Sequence, residues 1–508
     1  SLDIRQDSRI HNKVFEDVFK KAQKLHITDF KMDYSKLSEF EKIKILSTLK
    51  GDIPLKLFDE GLVLSTLGSI RAMKLIQKSN GEKGSNRYII SNNQSAVNIL
   101  EVFSMFRLSD WNSPTVDIVP LFETVSDLTV AAKVMESVYS NSFYRKHLHQ
   151  RGDQQTIMLG FSDGTKDGGY LMANWSILKA KESLTSISRK YGIKVVFFDG
   201  RGGPPARGGG NTHQFYASMG TFVESDEIQL TVQGQTISSN FGTVDSCQYN
   251  LEQLLSAGIQ NRVLSPDPDL NDSKKEDKVI LDNLAKISYQ CYSDFKNHPK
   301  FVPYLEHMST IRYYAKTNIG SRPSKRGKTD AKFDFNSLRA IPFVGSWSQL
   351  KQNVPGFYGV GTALKHYEDN NKFSDLKKLY KRSAFFRTLI SNSMMSLTKS
   401  FFKLTAYMKD DPEFGEFWIL IQKEYKLSKS LILKLSGFKE LMENEPANKA
   451  SIEIREKIVL PLITIQQYAL RKIKLIERGD LSKSELKTYE KMVTRSLFGN
   501  INASRNSA

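Results

Sequence analysis

Two cysteines in 508 residues, Cys247 and Cys291, leave no material for a disulfide scaffold and suit a reducing compartment. Long apolar runs are missing as well. The longest candidate, Ile458 to Ile465, carries Pro461 and falls far short of the ~18 residues a membrane span needs. The first residues, Ser-Leu-Asp-Ile-Arg-Gln, contain no basic-then-apolar secretion signal and no initiator Met. The chain therefore reads as a fragment of something longer. Low-complexity tracts and internal repeats are absent too. The composition, 40% hydrophobic and 25% charged, is that of a folded protein and excludes collagen-like and disordered classes. What is abundant is positive charge: 73 Lys and Arg against 55 Asp and Glu leave +18, which favours anionic partners.

Short apolar runs alternate with helix-sized segments. The runs are Leu2–Arg5, Arg87–Ser91, Val116–Glu123, Thr156–Asp163, Lys194–Asp199, Ile228–Gln235 and Leu338–Trp347. Leu128–Tyr144 and Gly169–Tyr191 lie between them with helical length. Continuous apolar strands separated by helices predict βα units around a parallel sheet buried on both faces. Arg5, Glu123, Asp163, Asp199 and Arg201 stand at or just past run ends, where a βα barrel carries its chemistry, whereas Arg339 lies near the start of its run. From about Tyr367 no strand signal remains. Met394, Met395, Phe401 and Phe402 read as core, Gly437 as a helix stop, and Ser482–Glu485 as a capping box.

Three glycine-containing segments bear charge. In Gly200-Arg-Gly-Gly-Pro-Pro-Ala-Arg-Gly-Gly-Gly210, six of eleven residues are glycine and two are arginine, a composition that lets backbone N–H groups and guanidinium forks meet an anion. Gly160-Phe-Ser-Asp-Gly-Thr-Lys-Asp-Gly-Gly169 has the wrong spacing and order for a nucleotide-triphosphate loop. Gly320-Ser-Arg-Pro-Ser-Lys-Arg326 adds cations before Ser337-Leu-Arg-Ala-Ile-Pro342. Glu123 and Asp163, oxygen donors in a region poor in His and Cys, suit Mg²⁺ or Mn²⁺ better than zinc. His147 and His149 read as surface residues. Together the clusters describe a pocket for a small acid bearing phosphate and carboxylate. A nucleic-acid protein would interleave stacking aromatics with its basic residues; here the arginines sit beside carboxylates that repel a phosphate backbone.

These segments, with Leu2-Asp-Ile-Arg-Gln-Asp-Ser8 and Val119-Pro-Leu-Phe-Glu-Thr124, resemble phosphoenolpyruvate carboxylase over essentially the whole chain. The resemblance implies a predominantly helical α/β protein built on an eight-stranded βα (TIM-like) barrel. About seven of the strands would lie in this chain. Residues 1–366 would form the main part of the barrel and 367–508 a C-terminal helical region. It implies a cytoplasmic homotetramer, with neither nucleic acid nor membrane as partner. The implied reaction joins bicarbonate and phosphoenolpyruvate into oxaloacetate and phosphate, through carboxyphosphate and an enolate, with Mg²⁺ or Mn²⁺.

By matching motifs, Glu123 and Asp163 correspond to metal ligands and Arg5, Arg201, Arg322 and Arg339 to substrate arginines. Lys166 and Arg207 correspond to catalytic residues, Arg207 on a mobile glycine loop. Lys399, Arg455, Asn506 and again Arg207 match a separate site for a dicarboxylate inhibitor such as aspartate or malate.

The sequence departs from the family pattern in four places, one of them the ending Arg505-Asn-Ser-Ala508 where the family usually has Asn-Thr-Gly. Asp199 stands where most relatives carry His, and a carboxylate neither supplies an imidazole donor nor welcomes an anion unless paired. The Ala-Thr-Pro-Glu pattern is missing around Ser309–Thr317, and the Thr-Ala-His-Pro-Thr motif with the family's catalytic His does not occur. The expectation is that this chain alone binds metal yet carboxylates poorly or not at all. A diverged, non-catalytic relative that keeps the effector site is the alternative that Asp199 raises.

Overall fold

A computed structural model describes residues 3–24, 32–58, 61–232, 235–263, 275–314, 335 and 338–504. The described residues form an α/β structure, mostly helical, with one parallel sheet. It divides into two compact units. One, the sheet unit, comprises Ser1–Gly160, Ser176–Asp199 and Phe222–Leu230; the other, the helical unit, comprises Phe161–Trp175, Gly200–Thr221 and Thr231–Ala508.

Six strands make the sheet: β1 (Asp3–Asp7), β2 (Arg87–Ser91), β3 (Asp117–Phe122), β4 (Gln154–Gly160), β5 (Lys194–Gly200) and β6 (Ile228–Leu230). They lie side by side in chain order, with parallel pairing at β1/β2, β2/β3, β3/β4 and β5/β6. The continuous apolar runs explain the burial. Tyr88, Ile90, Val119, Phe122, Ile157, Leu159 and Val196 are all fully buried, as strands covered on both faces require. Ile89, Val119, Leu121 and Met158 form one cluster, with Phe198 against it.

The helical unit packs around aromatic rings. Phe295 stacks on Phe417 at 5.1 Å between centroids and on Tyr358 at 4.0 Å, while Trp347 and Tyr304 stack at 6.0 Å. Farther along, helices Pro446–Arg478 and Leu486–Ser504 share a core of Ala469, Leu470, Ile473, Val493 and Leu497. Gly437 ends helix Gly415–Ser436 at φ +78°, the left-handed cap a helix stop uses. Among the described residues no helix is long and apolar enough to cross a membrane.

Several expectations need correction. Leu338–Trp347 is not a strand: Ala340–Gln349 is a helix with Arg339 at its N-cap and Pro342 in its first turn, where proline is tolerated. Nearly every residue of that helix is buried, so its sequence carries no amphipathic period to separate it from a buried strand. β4 stops at Gly160, and Asp163 stands in the first turn of helix Phe161–Gly168. β6 stops at Leu230, and Gln235 opens a helix. His147 is buried at 3% exposure, packed against Phe103 and Tyr144, although His149 is exposed as expected. Met394 and Phe402 are core, but Phe401 is 38% exposed. Ser482 caps through the Ser484 N–H and opens a short 3-10 turn ahead of the last helix.

Candidate active site

In the sheet unit the site begins with Glu123, directly after β3. Thr124 caps helix Val125–Tyr139, and Asp127 answers from the third helical position by accepting the N–H groups of Thr124 (3.0 Å) and Glu123 (3.4 Å). This reciprocal cap fixes the backbone that aims the Glu123 side chain. Its Oε1 accepts from Arg5 Nη2 at 3.2 Å, and its Oε2 accepts the Asn92 N–H at 2.9 Å. Gly160, at the end of the neighbouring strand, eases this approach: a Cβ there would lie 3.2 Å from Glu123 Cα, a tight contact. Glu123 is 5% exposed.

Asp199, also in the sheet unit, is fully buried near the end of β5. Its Oδ2 accepts from Lys181 Nζ at 2.7 Å, and Lys181 is equally buried on helix Tyr170–Lys190. No motif announced Lys181. It is one of several lysines in its helix, and only the fold shows which one turns inward.

In the helical unit, Gly200–Gly210 folds back on itself. Gly202 N–H donates to the Arg207 carbonyl at 2.7 Å, Gly209 N–H to Pro204 at 2.9 Å and Gly210 N–H to Gly203 at 3.3 Å. Glycine is required at Gly208 and Gly210, with φ of +77° and +92°, where any Cβ would also collide with Phe161 and with Asn392 respectively. Arg201 staples the loop by donating to the carbonyls of Gly208 and Gly209, and its guanidinium lies 4.1 Å from the Phe215 ring centroid. Arg201 is 5% exposed and its Nη1 has no hydrogen-bond partner among the described residues. Arg207 donates from Nε to Ser162 Oγ at 3.3 Å. Burial pulls its guanidinium down to about 10, while the nearby Asp163 carboxylate opposes that fall. The loop thus holds Arg207 beside the segment that carries Asp163.

Lys166 serves the same unit as a clasp. Its Nζ donates to the carbonyls of Phe335 (2.8 Å) and Leu338 (2.7 Å), just ahead of Arg339. Arg322 and Asn506 lie outside the described residues.

Lys399 is 7% exposed, and burial, followed by the charges of Lys351 and Arg455, lowers its ammonium to about 7. Lys351 is buried as well, lowered from the ordinary lysine value by burial, and ion-paired with Glu456. Sequence reasoning missed Lys351 and Glu456, whose pairing spans 105 positions without a motif. A cavity of about 10 Å³, room for one water, separates Lys399 from Pro204, Pro205 and Ala206 at the stem of the glycine loop.

Glu123 in the sheet unit and Asp163 in the helical unit are each carboxylates, oxygen donors of the kind a hard divalent cation takes. Mg²⁺ ordinarily takes one or two carboxylates and completes its shell with water and substrate oxygens. Among the described residues no group of three or more His, Cys, Asp or Glu side chains is arranged to hold a metal, so a protein-only cage is not present there.

A family model described as phosphoenolpyruvate carboxylase matches residues 1–504. A phosphoenolpyruvate carboxylase of Corynebacterium diphtheriae is 33% identical over 493 residues, which is 93% of this chain and 53% of that relative. The chain thus spans about half the length of the curated relative it matches.

Proposed function

From the premise that the chain belongs to the phosphoenolpyruvate carboxylase family, we propose that the protein carrying it joins bicarbonate to phosphoenolpyruvate, releasing oxaloacetate and phosphate. The observation that carries this reading is the folded glycine loop, which keeps Arg207 beside Asp163 and Ser162 while Arg201 is stapled beneath it. Bicarbonate attacks phosphorus, giving carboxyphosphate and the pyruvate enolate; carboxyphosphate then yields CO₂, which the enolate captures. Both steps spread negative charge over phosphoryl and enolate oxygens, and fixed cations are worth most at such oxygens. Arg5, Arg201, Arg322 and Arg339 bind phosphate and carboxylate, Arg207 follows the transferred phosphoryl group, and Lys166 holds the segment before Arg339 in place. Glu123 and Asp163 would hold Mg²⁺ or Mn²⁺, which when bound supplies positive charge to enolate and phosphoryl oxygens. The loop excludes water from the intermediate.

The in-order parallel strands support a sheet that closes into an eight-stranded βα barrel over residues 1–366, followed by a helical region over 367–508. The working protein is proposed as a cytoplasmic homotetramer. Lys399, Arg455, Asn506 and Arg207 are proposed to receive a dicarboxylate such as aspartate or malate. The buried Lys399, lowered by burial and by the charges of Lys351 and Arg455 and lining a cavity with the loop stem, supports that assignment.

The test is oxaloacetate formation by the full-length protein from phosphoenolpyruvate, bicarbonate and Mg²⁺ or Mn²⁺. Turnover is expected, with Glu123→Gln and Arg207→Ala each losing at least ~100-fold in kcat. Phosphoenolpyruvate binding without turnover would sink the carboxylase reading in favour of a diverged sensor.

A further inference from the structure

We propose that a cavity of about 320 Å³ in the helical unit binds an organic monocarboxylate with an apolar body, its carboxylate held by Arg471. The cavity shares no lining residue with the one at Lys399, and its size and charge stand whatever reaction the protein catalyses.

Three elements supply most of its wall. Helix Phe301–Met308 ends there with His307 and Met308, the 3-10 helix Phe402–Asp410 brings Tyr407 and Asp410, and helix Pro446–Arg478 contributes one face. On that face Leu470, Lys474 and Arg478 recur at every fourth position, with Arg471 and Leu475 beside them. Leu470 and Met308 are buried, at 6% and 3% exposure, and with Pro412, Leu475 and the Tyr407 ring they give the cavity apolar surface. The Tyr407 hydroxyl donates to Gln467 Oε1 at 3.0 Å, which fixes the ring. Ligand pockets run from roughly 300 to 1,000 Å³, and a cavity of about 150 Å³ already takes benzene. This one therefore has room for a six-membered ring and the acid group attached to it.

The charges on the wall are not equally engaged. Lys474 Nζ donates to Asp411 Oδ2 at 2.8 Å, and Arg478 lies 3.5 Å from Asp411 Oδ1 and 3.7 Å from Glu413. Asp411 also accepts the N–H groups of Glu413 and Phe414, at 3.0 and 3.1 Å, just ahead of helix Gly415–Ser436. These three side chains hold the local fold together. Arg471 differs. It is exposed, its guanidinium lies 5.6 Å from the Tyr407 ring centroid, and among the described residues no hydrogen bond or ion pair holds it. With His307 uncharged, Arg471, Lys474 and Arg478 outweigh Asp410 and Asp411 by a single positive charge. One carboxylate matches that surplus, whereas a phosphate ester carries about −1.5 to −2 near neutral pH and would leave charge unmatched. The guanidinium fork takes both carboxylate oxygens through parallel N–H groups, and an apolar body covers the leucine, methionine and tyrosine surface that a bare anion would leave wet.

Ligand-observed NMR titration of the full-length protein with 3-phenylpropionate, acetate and phenyl phosphate tests the site. 3-Phenylpropionate is expected to bind with a Kd of about 1 mM or tighter. Acetate, which lacks the apolar body, and phenyl phosphate, whose extra charge finds no partner, should each bind at least about tenfold more weakly. Arg471→Gln should weaken 3-phenylpropionate by about tenfold or more. That side chain is exposed and makes no hydrogen bond among the described residues, so the variant is expected to fold. Lys399→Gln should leave 3-phenylpropionate binding as it is in the wild type. The proposal is overturned if 3-phenylpropionate shows no saturable binding below about 10 mM, or if Arg471→Gln leaves its affinity unmoved. Acetate or phenyl phosphate binding as tightly would overturn it too, as would loss of binding in Lys399→Gln, which would place the ligand in the other cavity.

Discussion

Two clusters built on buried lysines differ in what surrounds the ammonium. In the sheet unit, Lys181 is ion-paired with Asp199 at 2.7 Å, with side chains 1% and 0% exposed. In the helical unit, buried Lys351 pairs with Glu456, while burial, followed by the charges of Lys351 and Arg455, lowers the buried Lys399 to about 7. A lysine lowered by burial and by like charges is one whose charged form an incoming anion would stabilise.

Deleting a cation should therefore have opposite signs in the two places. Lys181→Met is expected to cost about 3–5 kcal/mol, because it removes the buried cation paired with the Asp199 carboxylate. Lys399→Met, matched in shape and lacking the charge, should be neutral or stabilising by about 1 kcal/mol. Chemical denaturation of both variants checks this, and a large loss of stability in Lys399→Met would erase the distinction.

A second prediction sharpens the contrast through pH. The folded-state value of Lys399 lies below that of an unfolded lysine, so between about 7 and 10.5 the unfolded chain holds the extra proton. Stability from this group therefore rises with pH across that window, while an anion at Lys399 is held more tightly as pH falls through about 7. Calorimetric titration with aspartate or malate should show affinity declining from pH 6 to 8.5, and Lys399→Gln should flatten the profile. A wild-type profile that is already flat would place the anion elsewhere.

The smallest effect belongs to a buried group with no carboxylate partner. Burial holds His147 down to about 4, against an ordinary 6.5, with Arg151 adding to the shift. Its contribution to stability is complete above pH 6.5 and is lost as pH falls toward 4, since the unfolded chain takes up the proton first. His147→Gln should make the acid limb of a Tm-against-pH curve shallower between 6.5 and 4; an unchanged slope would assign that limb to other groups, such as the similarly buried His11.

Legibility in the sequence followed the same division. Strand runs ending in glycine and charge announced β2 to β5, and with them Glu123, Arg201 and Arg207, because buried parallel strands write continuous apolar words with abrupt polar ends. Ala340–Gln349 failed for the complementary reason: a helix buried all round writes the same kind of word. His147 failed because an alternating His-Leu-His pattern says nothing of which ring turns inward. Lys181, Lys351 and Glu456 had no local signal whatever. Their meaning lies in partners 18 and 105 positions away, and a one-dimensional pattern contains no such distance.

The cavity beside Lys399 has a thermodynamic consequence. With room for about one water, it admits nothing as large as a four-carbon diacid while Pro204, Pro205 and Ala206 stay where they are. Any such occupant requires the loop stem to withdraw, and its apparent affinity is its intrinsic affinity scaled by the fraction of molecules in that state. Sensitivity to the ligand can then be tuned without altering a single contact to it: a stiffer prolyl stem raises the concentration needed for half-occupancy, and a looser one lowers it.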